Sequence, residues 1–162
     1  MSRPHLKTAG CVTVTCLLLA AGCSQTVELS NVSPAAKTAL KTAYPEASIT
    51  EVESEFAWGT KVYEAELKQG DRQIDVKLSF DGEIIEVETK MSMSDVPKAV
   101  AEAITEAAKG AEVTGVEKVE LMGKIQFGKI VKLDEPKVYY EAEYRKWGIP
   151  VQIKVAPDGS RM

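Results

Sequence analysis

Histidine is almost missing from this chain of 162 residues: His5 is the only one. Its scarcity excludes Ser/His and Cys/His nucleophilic catalysis, and the common histidine-based zinc sites, from everything downstream. Cysteine is nearly as rare. Cys11 and Cys16 fall within the first 22 residues and Cys23 directly follows them, so no later thiol exists to form a disulfide. Aromatic residues make up 6% of the chain, and its most apolar run, Val12 to Gly22, is eleven residues long. A membrane-spanning helix needs about 20. Positive charge is also in deficit. Residues 1–23 hold Arg3 and Lys7 and no acidic residue, which leaves 18 Lys+Arg against 24 Asp+Glu, a net charge of −6. That balance argues against nucleic-acid binding. The glutamates are spread through strand-like segments, so they read mainly as a solvated surface. No Asp-rich calcium loop occurs, and no metal or cofactor is expected.

What is present begins with an export signal. Arg3 and Lys7 form a basic start, the apolar run follows, and Ala20-Ala21-Gly22 offers small residues for cleavage. Leu19-Ala20-Ala21-Gly22-Cys23 resembles the lipobox of bacterial lipoproteins, departing only in Ala20 where many have leucine. The resemblance implies cleavage before Cys23 and a diacylglyceryl group on its thiol. A plain secretory signal with an incidental cysteine is the alternative. Ser24 in place of aspartate implies, by the same resemblance, sorting to the periplasmic face of the outer membrane. Residues 1–22 are thus expected to be the signal peptide and 23–31 a lipidated tether. Several acyl chains, at about 0.8 kcal/mol per buried methylene, would anchor the chain without a spanning helix.

The remainder is duplicated. Tyr-Glu-Ala-Glu occurs at Tyr63–Glu66 and Tyr140–Glu143, each copy followed at the same distance by an Asp-Gly pair, Asp81-Gly82 and Asp158-Gly159. Val32, Ala36, Ala39, Leu40 and Ala43 fall at helical spacing, and Val96, Val100, Ala103, Ile104 and Ala107 repeat the pattern 64 residues later. Ser33-Pro34 and Asp95 ahead of Pro97 supply cap residues; Pro45 and Gly110 supply stops. Around each tetrapeptide, apolar and charged residues alternate with the period of a strand. Asp-Gly then reads as a two-residue hairpin turn with both residues at positive φ.

These signals predict an α+β chain of two tandem helix-plus-antiparallel-meander repeats, 32–90 and 91–162, with helices packed on one face of the sheet or sheets. The offset between the tetrapeptides is 77 rather than 64, which places 13 extra residues within 119–137 of the second repeat. Ile125, Phe127, Ile130 and Val131 make that insertion too apolar for a loop, so longer strands or an extra hairpin are expected. The second repeat also lacks a counterpart of the last strand of the first, Glu83–Lys90.

A helix followed by Tyr44-Pro45-Glu46-Ala47, and strands ending in Asp-Gly, resembles the PepSY-like family of bacterial envelope proteins, related in fold to beta-lactamase inhibitor proteins. Val96-Pro97-Lys98-Ala99-Val100 resembles the helix start of the same family. The likeness spans about residues 30–160. The second repeat departs from it at Gly110, at the insertion and in the missing strand. The resemblance implies a secreted or lipid-anchored binding module, in some relatives an inhibitor of hydrolases, and carries over no catalytic residue.

Two features compete for a functional role. Glu64/Glu66 and Glu141/Glu143 are carboxylate pairs at a spacing near the roughly 5–10 Å that glycoside hydrolysis uses. Neighbouring Lys77 and Lys154 account for them without catalysis, as cross-strand charge pairs, and this is the preferred reading. Trp58-Gly59 and Trp147-Gly148 sit in predicted turns; each ring either folds over the edge of the core or serves as a binding anchor. Trp58, Trp147, Tyr139 and Phe127 are the candidate partner-binding residues, and Cys23 the lipidation site. The sequence predicts a non-catalytic, lipid-anchored binding module of the cell envelope, inhibiting or regulating an envelope hydrolase or peptidase. The alternatives are a carboxylate-based cell-wall glycan hydrolase and a structural adaptor in an envelope assembly. Its expected partners are membrane lipid, through Cys23, and an envelope protein.

Overall fold

The computed structural model describes residues 24–162, so the export signal and Cys23 lie outside the described residues. The elements run β1 (Gln25–Thr26), α1 (Pro34–Ala43), β2 (Ser48–Ala57), β3 (Thr60–Gln69), β4 (Arg72–Ser79), β5 (Ile84–Lys90), α2 (Lys98–Ala108), β6 (Val113–Gln126), β7 (Lys129–Lys146) and β8 (Ile149–Val155). The strands form one sheet in chain order, each antiparallel to the next.

This corrects the expected pair of tandem helix-plus-meander repeats. The chain folds as a single eight-stranded meander carrying two short helices, and its halves are not separate sheets. The reason is the edge of β5. Glu86 to Lys90 pair with Leu121 to Glu117 of β6, which satisfies a row of backbone groups that two independent sheets would leave open. The stretch read as a tether is also tied down. Gln25 and Thr26 pair with Ser54 and Glu53 of β2, and Leu29–Asn31 form a 3-10 turn.

Helix α1 starts where its sequence signals place it. Ser33 Oγ accepts from the Ala36 amide at 3.1 Å and donates to the Phe80 carbonyl, Pro34 occupies the first turn, and the helix stops before Pro45. Helix α2 differs, because Asp95 does not cap it. That carboxylate accepts from Ser92 Oγ at 2.6 Å, and α2 follows Pro97 with no side-chain cap. Lys109 and Gly110, both at positive φ, end it.

Val32, Ala36 and Leu40 bury against Tyr63, Ala65, Ile74, Val76 and Leu78, while Val100 and Ile104 bury against Val116, Tyr140, Ala142 and Val155. Cross-strand neighbours share a face, and the chain of pairs Ile74–Thr89–Lys118–Tyr140–Val155 puts both clusters on the same side of the sheet. Met122 of β6 packs on the first cluster, linking the two halves beyond the backbone seam.

The turns reverse one expectation. Asp81 and Asp158 are not among the non-glycine residues at positive φ; only Gly82 (+85°) and Gly159 (+88°) are, so neither Asp-Gly pair is the mirror-image hairpin turn. That conformation belongs to Trp58-Gly59, Phe127-Gly128 and Trp147-Gly148, in which both residues have positive φ. The Asp-Gly glycines serve packing instead. A Cβ on Gly82 would lie 2.7 Å from the Ala35 carbonyl oxygen, and one on Gly159 2.8 Å from that of Ala99, so each glycine lets its turn press on the first turn of a helix.

The 13 extra residues lengthen the β6–β7 hairpin. Its tip returns to the first half, where Thr60 Oγ1 donates to the Gly128 carbonyl and Lys132 pairs with Glu83 at 3.1 Å.

Gly82→Ala and Gly159→Ala should each cost about 2–4 kcal/mol in urea unfolding. Gly148→Ala, at φ +80° with nothing within 4 Å, should cost only the left-handed penalty of about 1–2 kcal/mol. Equal losses at the three positions would contradict the close turn-to-helix packing.

Candidate functional site

With both helices on one face, no helix packs on the other, where the alternation of each strand sets charged side chains around the buried Val119 and Tyr139. The register sets out the rows. Glu53, Glu64, Lys77 and Glu86 lie abreast on β2 to β5; Glu66, Asp75, Glu88, Val119 and Tyr139 lie abreast on β3 to β7; Glu117, Glu141 and Lys154 lie abreast on β6 to β8.

Lysines neutralise part of this surface. Lys77 Nζ reaches Glu55 at 3.0 Å and Glu64 at 3.8 Å. Lys154 pairs with Glu141, whose other oxygen accepts from Gln152 Nε2. Cross-strand ion pairing therefore engages Glu64 and Glu141, the first member of each tetrapeptide pair. In the centre the compensation fails. Asp75 and Glu88 are directly opposed like charges, and with Glu117 they place three carboxylate oxygens within 4.8 Å of one another.

Protons make up the difference. Partial burial, reinforced by Glu86, Glu117, Glu141 and Glu64, raises the Glu88 carboxyl to about 8, so it is largely protonated at neutral pH. Burial likewise lifts Asp75 to about 6, against the opposing pull of Lys90. Glu64, Glu86 and Glu117 shift upward for the same reason, each opposed by a nearby lysine. A protonated Glu88 can donate to an ionised neighbour. As a metal centre the trio is incomplete: it offers three ligands, where calcium takes six to eight.

The sequence-predicted residues do not form one patch. Trp58 and Phe127 meet at one end of the sheet, where a Cβ on Gly128 would stand 3.2 Å from the Trp58 carbonyl oxygen. Trp147 lies at the opposite end, in the β7–β8 turn. Trp58, Trp147 and Phe127 are 71%, 88% and 100% exposed, which rules out rings folded over the core. Tyr139 is buried on the open face, with Lys154 Nζ 4.9 Å from its ring centre. Burial, reinforced by the neighbouring carboxylates Glu86, Glu141 and Glu88, holds its hydroxyl well above the usual phenol range. Cys23 lies outside the described residues. The central trio Asp75, Glu88 and Glu117 is not legible in the sequence, because β4–β5 pairing sets Asp75 against Glu88 and only the β5–β6 pairing brings Glu117 to them. The strict alternation of Glu86, Val87 and Glu88 was its one visible trace.

Residues 23–86 and 62–154 each match a protein family described as "Putative beta-lactamase-inhibitor-like, PepSY-like". The chain belongs to this family. The fold agrees, since three solved structures share it. A BLIP-like protein of Bacteroides fragilis is 23% identical with a TM-score of 0.60, over 80% of this chain and 82% of that one. A "putative periplasmic" protein of Bacteroides eggerthii is 19% identical with a TM-score of 0.63, over 81% and 86%. A DUF2874 family protein of Bacteroides ovatus is 16% identical with a TM-score of 0.59, over 80% and 84%. No curated protein matches the chain. In this PepSY-like protein the carboxylate-lined face is the side of the sheet on which neither helix packs.

A carboxyl with a higher pKa in the folded than in the unfolded chain gives stability that is complete below about pH 4.5 and is lost as pH rises through about 8. Glu88→Gln should therefore gain on the parent protein as pH goes from about 5 to 9, by about 1–3 kcal/mol in thermal or urea unfolding. A difference that stays constant with pH would contradict the proton on Glu88.

Proposed function

We propose that this PepSY-like protein is a non-catalytic, lipid-anchored binding module of the bacterial cell envelope. Its open sheet face receives a protein partner, and its role is to inhibit or regulate an envelope hydrolase or peptidase. The observation that carries this reading is the uncovered face itself. Five consecutive strands, β3 to β7, present side chains there in register, and both helices pack on the opposite side. Family membership supports an inhibitor-like binding role. The description of the Bacteroides eggerthii relative supports export, as do the leader and the lipobox-like Leu19–Cys23. No helix among the described residues is long and apolar enough to cross a membrane, and in this reading a lipid on Cys23 is the means of attachment.

The chemistry of the face favours binding over hydrolysis. Glu64 and Glu141 are engaged by lysines. Glu66 and Glu143, carboxylates at the margin of the face with no ion-pair partner among the described residues, are the ones a partner would meet first, Glu143 accepting only from Thr114 Oγ1. Trp147, exposed at the far turn with Lys146 Nζ 4.8 Å from its ring centre, is the aromatic anchor on this side.

The full chain, extracted from membranes in mild detergent, should retain an envelope protein on capture followed by mass spectrometry. Glu66→Lys with Glu143→Lys should weaken that retention at least tenfold without lowering the melting temperature, and Trp147→Ala should act in the same direction. A hydrolase or peptidase in the captured fraction supports inhibition, whereas a stoichiometric envelope complex supports the adaptor alternative. Glycan hydrolysis that Glu88→Gln abolishes would overturn the binding reading.

A further inference from the structure

Phenylalanine is ordinarily a core residue, yet all three in this chain are exposed. Phe56, Phe80 and Phe127 show 64%, 48% and 100% of their surface, while Val, Leu, Ile, Ala and Tyr build the core. The three also stand at one end of the sheet. Phe56 is opposite Lys61, Phe80 follows the end of β4 beside that pair, and the Thr60–Gly128 hydrogen bond seats the Phe127 tip next to Trp58. Trp58 and Phe127 are held at φ +51° and +49°, a conformation that asparagine or glycine takes far more easily. Large aromatic rings kept exposed at strained turn positions point to a surface that meets something apolar.

The charge at this end runs against the chain as a whole. Residues 123–133 contain Lys124, Lys129 and Lys132 and no acidic residue, in a sequence with an acidic excess. Lys61 adds a fourth cation over the Tyr63 and Phe80 rings. Of the nearby acids, Glu83 is bound to Lys132 and Glu55 to Lys77, while Asp81 and, further from the tip, Asp134 and Glu135 are exposed. Exposed aromatics interleaved with lysines suit the interface of a bilayer with anionic headgroups.

The path of the chain says which end faces the membrane. Strand β1 runs antiparallel to β2 with Gln25 opposite Ser54 and Thr26 opposite Glu53, so Ser24 lies toward Phe56 and Trp58. At about 3.3 Å per residue, it is about 10 Å of strand from Trp58. Cys23 is the next residue.

We propose that this aromatic and basic end, formed by Phe56, Trp58, Phe80 and Phe127 with Lys61, Lys124 and Lys129, seats on the anionic surface of the lipid bilayer beside the N-terminal anchor. The proposal rests on the lipid-anchored reading above. Seated this way, the protein stands its sheet away from the membrane, and Trp147 lies at the distal end, on the order of 50 Å away along β7.

The two tryptophans, one at each end, are built-in reporters. Full-length Trp147→Phe, which keeps Trp58, and full-length Trp58→Phe, which keeps Trp147, would be produced in a lipoprotein-processing bacterium. Each would be reconstituted into vesicles of phosphatidylglycerol and brominated phosphatidylcholine. Trp58 emission should shift to the blue and be quenched at least twofold more than that of Trp147. Lys124→Glu with Lys129→Glu should reduce the difference. Equal quenching of the two tryptophans overturns the proposal and leaves the aromatic end to a protein partner. The mass of the Cys23 peptide decides the anchor separately. Unacylated protein with preferential Trp58 quenching refutes the anchor and supports the docking, and acylated protein with equal quenching does the reverse.

Discussion

The seam between β5 and β6 is the constraint on which the rest of this structure depends. Five residue pairs, from Glu86–Leu121 to Lys90–Glu117, join two halves that would each have to build a core from about 60 residues. Domains of that size bury little surface and are marginal. Joined, they share one sheet, and Met122 of the second half packs into the core of the first. The seam also determines the open face. Without it Glu117 would not approach Asp75 and Glu88, and the carboxylates of β3 to β5 would not continue into those of β6 to β8.

The open face works against the stability that the seam provides. Opposed carboxylates on adjacent strands are unfavourable, and here lysines answer the charge on both flanks while protons answer it in the centre. A cation brought onto this surface would favour ionised Glu88, whose proton would pass to solvent, and would offset the repulsion among the carboxylates. The proposed binding role draws on this uncompensated charge, which a positively charged partner would offset. The aromatic end is a separate matter in chemistry as well as position, being basic and apolar where the face is acidic.

Much of the local structure was legible in the sequence, because it depends on short-range chemistry. The alternation around Tyr63 and Tyr140 placed the strand faces, and Ser33 with Pro34 marked the start of α1. The lysines opposite Glu64 and Glu141 followed from that alternation. What failed involved long-range pairing or backbone conformation. Nothing local in Glu86–Lys90 says that its partner is a strand 30 residues away, so the sequence leaves open whether the halves share one sheet, and the central carboxylate trio is not legible in it. Asp-Gly is the commoner signature of a mirror-image hairpin turn. Here the aromatic-Gly pairs take that conformation, while Gly82 and Gly159 are fixed by helices that pack against them from far along the chain. Exposure of Trp58 and Trp147 was equally unreadable, since a turn glycine beside a tryptophan says nothing of which way the ring points.

The central claim is that one continuous sheet makes one cooperative unit. Native-state hydrogen exchange of the backbone amides in β5 and β6 tests it most directly. The account predicts that seam amides between Glu86–Lys90 and Glu117–Leu121 exchange only through global unfolding, with the same free energy as those between β3 and β4 and between β7 and β8. Seam amides that exchange at distinctly lower free energy, while the two halves stay protected, would show two units resting edge to edge and would contradict it.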